Sequence, residues 1–417
     1  MSPSRTNRRR LLVVFAFSSV LLLNHVALAA PPQVTGRLET VQGVRVLKLW
    51  GTPEQRGYAH GYLLGRDIVE MFDGAVLNPQ VLEDPRQYET EVRGKFLRQM
   101  RFSPDRRAEL EGMFRGIVDS VGLPQTRLER LGRNLDVQDL MAINSMADWY
   151  RFFCSSFSAW GQATADGGML TARNLDFLAL PGLDTSHVII VYLQPGGGKR
   201  AWVSVAWPAL IGAYTAMNED GVTILMHDAL GRANTHQGAF VPRSIALRDA
   251  LESARAATAV GDVKRVLLTE PSITGNNIHV SSPFSGQIHP AAVFEYDGDI
   301  SADGGLSTRF STAPPLKDWL VCTNHYCLRE TPHRPWDDST QRYTTIETAL
   351  KQVRQRQGKI DLALARQIMA SVGVKTTFHS VVLLPNSKEL YVSLARPGTP
   401  AHLIQPVHLR LADLLRK

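Results

Sequence analysis

Three side chains in one short stretch could do chemistry together. Cys154 opens a run to Trp160 whose Phe157 and Trp160 suit a half-buried strand, and Asp166, Gly167 and Gly168 form a turn before a second strand from Met169. The pattern predicts a hairpin, which returns Arg173 and Asp176 to the side of Cys154. A thiol, a guanidinium and a carboxylate then share one place. The thiolate is the reactive form of cysteine, and a fixed positive charge beside it lowers its pKa, while a carboxylate orients the groups around it. Taken singly, each of these residues reads as ordinary structure: a buried small hydrophobe for Cys154, a surface ion pair at a strand end for Arg173 and Asp176.

In combination, the motifs C-S-S-F-x-A-W-G, then D-G, then A-R-N-L-D resemble the N-terminal-nucleophile hydrolases related to choloylglycine hydrolase and acid ceramidase. They are most similar to the acyl-coenzyme A:6-aminopenicillanic acid acyltransferase (peptidase C45) family. The resemblance implies autocatalytic cleavage between Phe153 and Cys154, so that the freed α-amine belongs to the nucleophile. Such an amine has an unperturbed pKa of about 7.7 to 8.0 and serves as general base near neutral pH. Two later segments extend the likeness. Thr323-Asn324 implies an amide in the oxyanion hole, and Ser339-Thr340-Gln341-Arg342-Tyr343 implies that Arg342 supports the network; Gly51 to Gly61 is similar to the family's entry helix. Trp160, Asn276 and Asn277 are weaker candidates for substrate contacts, and His60 reads as a packing residue.

The three cysteines are an odd number for an oxidising compartment, so Cys322 and Cys327 are expected to pair across Thr323 to Tyr326 and leave Cys154 free. A metal held by Cys322, His325 and Cys327 lacks a fourth ligand. Gly196-Gly197-Gly198-Lys199 has no upstream glycine and carries Arg200 where a phosphate loop needs Ser or Thr. No HExxH or GxSxG pattern occurs, His227-Asp228 stands without partners in the sequence, and no cofactor is implied.

The elements that must position these groups fall into two regimes. Residues 1–29 read as a secretory signal, with Arg5, Arg8, Arg9 and Arg10 before an apolar run and Ala27-Leu28-Ala29 at its end. Localisation is expected to be secreted or periplasmic, without stable membrane insertion once the signal is removed. Removal takes four arginines from a net charge of +7 and leaves +3, and no basic block interleaved with aromatics suggests nucleic acid. Residues 30–153 read as a mainly helical pro-segment, with Asp84-Pro85 and Ser103-Pro104 as helix starts and Gly57 and Gly61 on one helix face for a close approach. From 154 to 417 short strands alternate with helices near 243–256, 261–268, 343–357 and 361–372. Helices, strands, helices, strands in that order predict an α+β fold, a four-layer αββα sandwich.

The expectation is an exported, self-processing hydrolase of linear amides acting on a small N-acyl substrate, its pro-segment chain staying associated with the catalytic chain. Transfer of the acyl group to an amine uses the same residues. A non-catalytic exported binding protein with a structural Cys154 is the reading from a different class.

Overall fold

Alternation along each strand sorts this chain into layers. The computed structural model describes residues 33–193, 196–232, 239–298, 303–311, 318–330 and 337–417; the secretory signal read in residues 1–29 lies outside them. Residues 34–417 form one compact unit.

Strands β1 (Gly36–Val41) and β2 (Val44–Leu49) form a hairpin ahead of helix α1 (Pro53–Met71), which Thr52 and Gln55 cap reciprocally. Helix α2 (Pro85–Gln87), capped by Asp84, continues as a π-turn segment over Tyr88–Phe96, and α3 (Pro104–Val121) starts at Ser103. Both proline starts are where the sequence put them. A small ribbon, β3 (Arg127–Leu128) with β4 (Arg133–Asn134), leads to α4 (Val137–Asn144) and α5 (Met146–Trp149), which meet at Ser145. Gly57 and Gly61 of α1 do allow the close approach. A Cβ on either would stand 1.8 or 1.9 Å from the Glu109 or Met113 carbonyl oxygen of α3.

The next strands are β5 (Phe153–Ala159), β6 (Leu170–Asp176), β7 (Val188–Tyr192), β8 (Trp202–Ala206), β9 (Thr215–Asn218) and β10 (Thr223–Asp228). Helices α6 (Arg243–Ser253) and α7 (Ala259–Thr269) precede β11 (Asn276–Ser281), β12 (Ala291–Tyr296), β13 (Leu306–Arg309) and β14 (Trp319–Cys322). Then follow α8 (Asp337–Gln355), α9 (Leu362–Ala370), β15 (Thr377–Leu384), β16 (Glu389–Leu394), β17 (Val407–Arg410) and α10 (Leu411–Leu414). One sheet has nine strands in the order β1-β2-β7-β8-β9-β10-β11-β12-β13, and the other six, β14-β5-β6-β15-β16-β17. Every pairing is antiparallel except β2 with β7. The chain ahead of Cys154 thus supplies two strands to the larger sheet as well as its helices.

Between the sheets, Val46, Ile189, Val191, Val203 and Leu225 pack on Val381, Leu383, Leu390 and Val392. On the outside of the smaller sheet Phe157, Ala159, Leu170 and Ala172 meet Ile346 and Leu350 of α8 and Ile368 and Met369 of α9. The alternate residues of β7, Ile190 and Tyr192, join Ile245, Leu251, Val263 and Leu267 of α6 and α7, with Leu64 and Ile68 of α1, in a continuous outer core. The layers are helix, sheet, sheet, helix, so the α+β sandwich is the observed fold. With period two, Ser156 and Ser158 of β5 face the larger sheet. There apolar contact gives way to a buried hydrogen-bonded chain: Ser156 Oγ meets His227 Nε2 (2.9 Å) and His279 Nδ1 (2.8 Å), and His279 Nε2 meets Ser158 Oγ (2.9 Å). Thr171, Ser281 and Thr223 continue it. Unpaired, each hydroxyl would cost about 1–3 kcal/mol.

Candidate active site

The β5–β6 hairpin does what its spacing predicted. Cys154 pairs in register with Leu175, Ser156 with Arg173 and Phe153 with Asp176. Arg173 Nη2 donates to Cys154 Sγ at 3.0 Å and to the Met226 carbonyl at 2.6 Å, while Nη1 donates to the Tyr214 carbonyl. Arg173 is fully buried, and among the described residues no carboxylate lies within ion-pair distance of it. The sulfur is therefore its nearest anion-forming neighbour.

The rest of Cys154 is held as closely. Its N–H donates to Asn324 Oδ1 at 2.8 Å, and its carbonyl accepts from Arg342 Nη1 at 2.6 Å. Arg342 also reaches Ser155 Oγ (2.7 Å) and Asn324 Oδ1 (3.1 Å). Asn324 Nδ2 donates to the Phe152 carbonyl at 3.1 Å and the Asp228 carbonyl at 2.8 Å. In the uncut chain the amide expected in an oxyanion hole is thus occupied by Phe152. The helix expected near 343–357 starts earlier. Helix α8 begins at Asp337, so Arg342 projects from its second turn. The polar run Asp337 to Gln341 hid those turns.

Asp176 accepts from Thr377 Oγ1 at 2.6 Å, and its Oδ2 has no hydrogen-bond partner. Burial pushes its pKa up to about 7, against the Thr377 hydrogen bond and the charges of Arg342 and Arg173. Burial also raises the Cys154 thiol to about 11, and Arg173 only partly opposes this. The sequence led us to expect a lowered pKa. Desolvation of a fully enclosed thiol outweighs one guanidinium, and the carboxylates of Asp176 and Asp228 add to the rise.

Asp228 is the group the sequence missed. It ends β10 beside Phe152, whose N–H its carboxylate accepts, and burial raises its pKa to about 7. The dipeptide His227-Asp228 carries no motif, and only pairing of β10 with β11 brings it to Asn276, whose Nδ2 approaches Asp228 Oδ1 at 3.5 Å.

The weaker candidates make contacts within the fold. Asn276 Oδ1 accepts from Arg243 Nε (3.0 Å), and Asn277 Nδ2 holds the carbonyls of Thr323 (3.0 Å) and His325 (2.8 Å), which fixes the loop bearing Asn324. Trp160 packs on Met169, Val293, Leu320 and Cys322, away from the thiol of Cys154. His60, buried and neutral with a pKa near 4, accepts the Ala209 N–H at 3.2 Å. The expected Cys322–Cys327 disulfide is absent, and all three cysteines are free. Cys322 is buried in β14 against Trp160 and Val293, whereas Glu295 holds the N–H groups of exposed Cys327 and Leu328, turning that loop away from the strand. The free state of Cys154 therefore rests on its enclosure and not on cysteine counting.

Beside the site lies a small apolar pocket of about 40 Å³, lined by Met71, Ile143, Phe152, Phe177, Trp207 and Tyr214 among others. Both the segment before Cys154 and the segment after it contribute walls.

No family model matches the chain. Among curated proteins it is similar to protein dcd1B of Dictyostelium discoideum, 22% identical over 335 residues covering 71% of this chain and 62% of that protein. It is also similar to protein dcd1A of the same organism, 23% identical over 200 residues, 42% of each. The chain spans less than two thirds of either relative. Among solved structures it is similar to the Caenorhabditis elegans ortholog of N-acylethanolamine-hydrolyzing acid amidase (TM-score 0.41, 17% identity, 56% of this chain and 93% of that one). A mutant conjugated bile acid hydrolase from Clostridium perfringens (0.43, 12%, 63% and 94%) and penicillin V acylase from Agrobacterium tumefaciens (0.41, 14%, 63% and 88%) are similar too.

Proposed function

We propose that the protein cuts its own chain before Cys154 and then hydrolyses linear N-acyl amides through a thioester on that residue. The observation that carries this reading is the enclosure of Cys154 on three sides. Its sulfur meets Arg173, its N–H meets Asn324 and its carbonyl meets Arg342. A structural cysteine needs none of these.

In the first step Asp176 Oδ2, buried and without a partner, takes the thiol proton. Sγ bonds to the Phe153 carbonyl carbon, the Phe153–Cys154 C–N bond breaks, and the leaving nitrogen gains the proton to become an α-amine. Water then adds to the thioester, the S–C bond breaks, and Phe153 leaves as a carboxylate. In each later turnover the α-amine accepts the thiol proton and returns one to the departing amine. Arg173 stabilises the thiolate, while Asn324 Nδ2, released from the Phe152 carbonyl, becomes a neutral donor for the oxyanion.

The reading includes export, supported by the pattern of residues 1–29; among the described residues no helix is long and apolar enough to cross a membrane. It also keeps residues 30–153 bound to the large chain after the cut. The test is the intact mass of purified protein under denaturing, reducing conditions, beside Cys154→Ala. Two chains from the wild type, the larger starting at Cys154, with an uncut variant, support the proposal. A wild type that stays whole and shows no N-acyl amide hydrolysis overturns it.

A further inference from the structure

Asn276 and Asn277 are neighbours in sequence and opposites in the fold. Successive side chains of a strand point to opposite faces, so Asn276 turns to Arg243 on the helical side of β11 while Asn277 faces the smaller sheet. Asn277 is in register with His227 of β10 and with Glu295 of β12, and residues directly opposite on antiparallel strands share a face. Three fully buried side chains therefore stand in one row. At one end His227 meets Ser156 Oγ at 2.9 Å, two positions after Cys154. At the other, Glu295 accepts the N–H groups of Cys327 and Leu328 at 2.9 and 2.7 Å, and Arg309, paired with Glu295 at 3.0 Å, donates to the Val321 carbonyl at 2.8 Å. Both ends of the loop that carries Asn324 are thus pinned. Asn277 grips its middle, with Nδ2 on the carbonyls of Thr323 (3.0 Å) and His325 (2.8 Å).

We infer that Asn277 is a positioning residue for the oxyanion donor: its one amide nitrogen fixes the peptide before Asn324 and the peptide after His325, and through them the direction of Asn324 Nδ2. This inference rests on the self-cleaving amidase reading, in which that donor serves the oxyanion. Ser339 Oγ accepts the Asn324 N–H at 2.9 Å and so holds the first of these peptides from its other side, while the carbonyl of the second rests on Asn277. Without Asn277 the loop keeps its two ends and its centre is free to turn. A misplacement of about 1 Å among groups that meet the reacting atoms costs about 10²-fold in rate. Arg173 and Arg342 reach Cys154 from β6 and α8, so the thiol keeps its own partners when the loop centre moves.

The experiment uses self-processed enzyme, counted by mass spectrometry as chains that begin at Cys154, with Asn277→Ala and Asn277→Leu; the leucine keeps the bulk of the side chain and lacks its donors. Hydrolysis of the aminomethylcoumarin amide of nonanoic acid is compared with alkylation of Cys154 by iodoacetamide. Amide hydrolysis passes through an oxyanion both as the thioester forms and as it breaks. In alkylation Sγ bonds to a saturated carbon and iodide leaves, so no oxyanion develops. Both variants are expected to lose kcat by about 10- to 100-fold with KM little changed, while the alkylation rate stays near that of the wild type because Arg173 still faces the sulfur. Ser281→Ala, on the same strand and equally buried but bonded to Thr171 and Thr223, is expected to keep its kcat. Hydrolysis at the wild-type rate in both Asn277 variants, or alkylation lost in the same proportion as hydrolysis, overturns the inference and leaves the amidase reading standing. A wild-type chain that neither cuts itself nor hydrolyses the amide overturns both.

Discussion

Asn324 Oδ1 accepts the backbone N–H of Cys154 at 2.8 Å, so the amide reaches the nitrogen of the Phe153–Cys154 peptide bond from a loop 170 positions away. Its other end, Nδ2, is engaged by Phe152 and Asp228. In the proposed reaction this one side chain would hold the leaving nitrogen and then supply the donor for the oxyanion of later turnovers.

Asn324→Ala removes both functions. Loss of one oxyanion donor costs about 10²- to 10³-fold in rate, so N-acyl amide hydrolysis by the processed enzyme is expected to fall by that factor, and self-cleavage followed by mass spectrometry, deprived of the hold on the Cys154 nitrogen, is expected to slow as well. Self-cleavage at the wild-type rate would sink the assignment.

In the proposed self-cleavage Asp176 would set the pH dependence. With its pKa at about 7, it is the proton acceptor only above neutrality, so the self-cleavage rate is expected to rise through pH 7 and then level. The Thr377 hydrogen bond lowers that pKa, so Thr377→Val moves the inflection upward. The linked stability has a fixed sign. A carboxyl whose folded pKa lies above its unfolded 3.8 is protonated more readily when folded, so its contribution is present below about pH 4 and lost as pH rises to about 7. In a Cys154→Ala background, Asp176→Asn is expected to melt several degrees higher than its parent at pH 8 and little differently at pH 4. Thermal unfolding at the two pH values checks it.

Much of this was legible from local pattern. The Asp84-Pro85 and Ser103-Pro104 starts, the β5–β6 hairpin and the meeting of Cys154 with Arg173 follow from turn chemistry and strand periodicity. What lay beyond reach depends on pairings between distant segments. Asp228 joins the site only through β10, the hydroxyl–imidazole chain exists only between two sheets, and the short strands β13 and β14 have too few residues to show alternation. The cysteine count misled because it treats redox compartment as pairing geometry, whereas Glu295 fixes the Cys327 loop.

Helix α1 depends on glycine where it crosses α3. A Cβ at Gly116 would lie 2.1 Å from the Tyr58 carbonyl oxygen, and backbone cannot swing aside as a side-chain tip can. Gly116→Ala must therefore part the two helices. Overpacking costs about 1–3 kcal/mol, so the melting temperature is expected to fall by several degrees, while Gly261→Ala, with open space around it, leaves it unchanged or higher.

The two chains left by self-cleavage would be clasped by buried charge. Glu109 of α3 meets Arg248 of α6 at 3.0 Å, Arg248 meets Glu252 at 2.7 Å, and Arg106 reaches back to Glu252 at 2.8 Å. The Arg248 guanidinium also lies over the Tyr192 ring at 4.2 Å. These arginines hold the carboxyls of Glu109 and Glu252 below the usual range despite burial. Arg248→Met takes the nearest partner from Glu109, which keeps Arg106 at 3.6 Å, and one partner from Glu252, which keeps Arg106 at 2.8 Å and Lys199 at 3.2 Å, so the cost stays below the about 3–5 kcal/mol of leaving a buried charge unpaired. Size-exclusion chromatography of the processed protein is expected to show the small chain lost from this variant, with partial recovery when Glu109→Gln is added. If Arg248→Met keeps its small chain at wild-type stoichiometry, the clasp is not what joins them, and the apolar packing of α1 and α3 against the larger sheet must suffice.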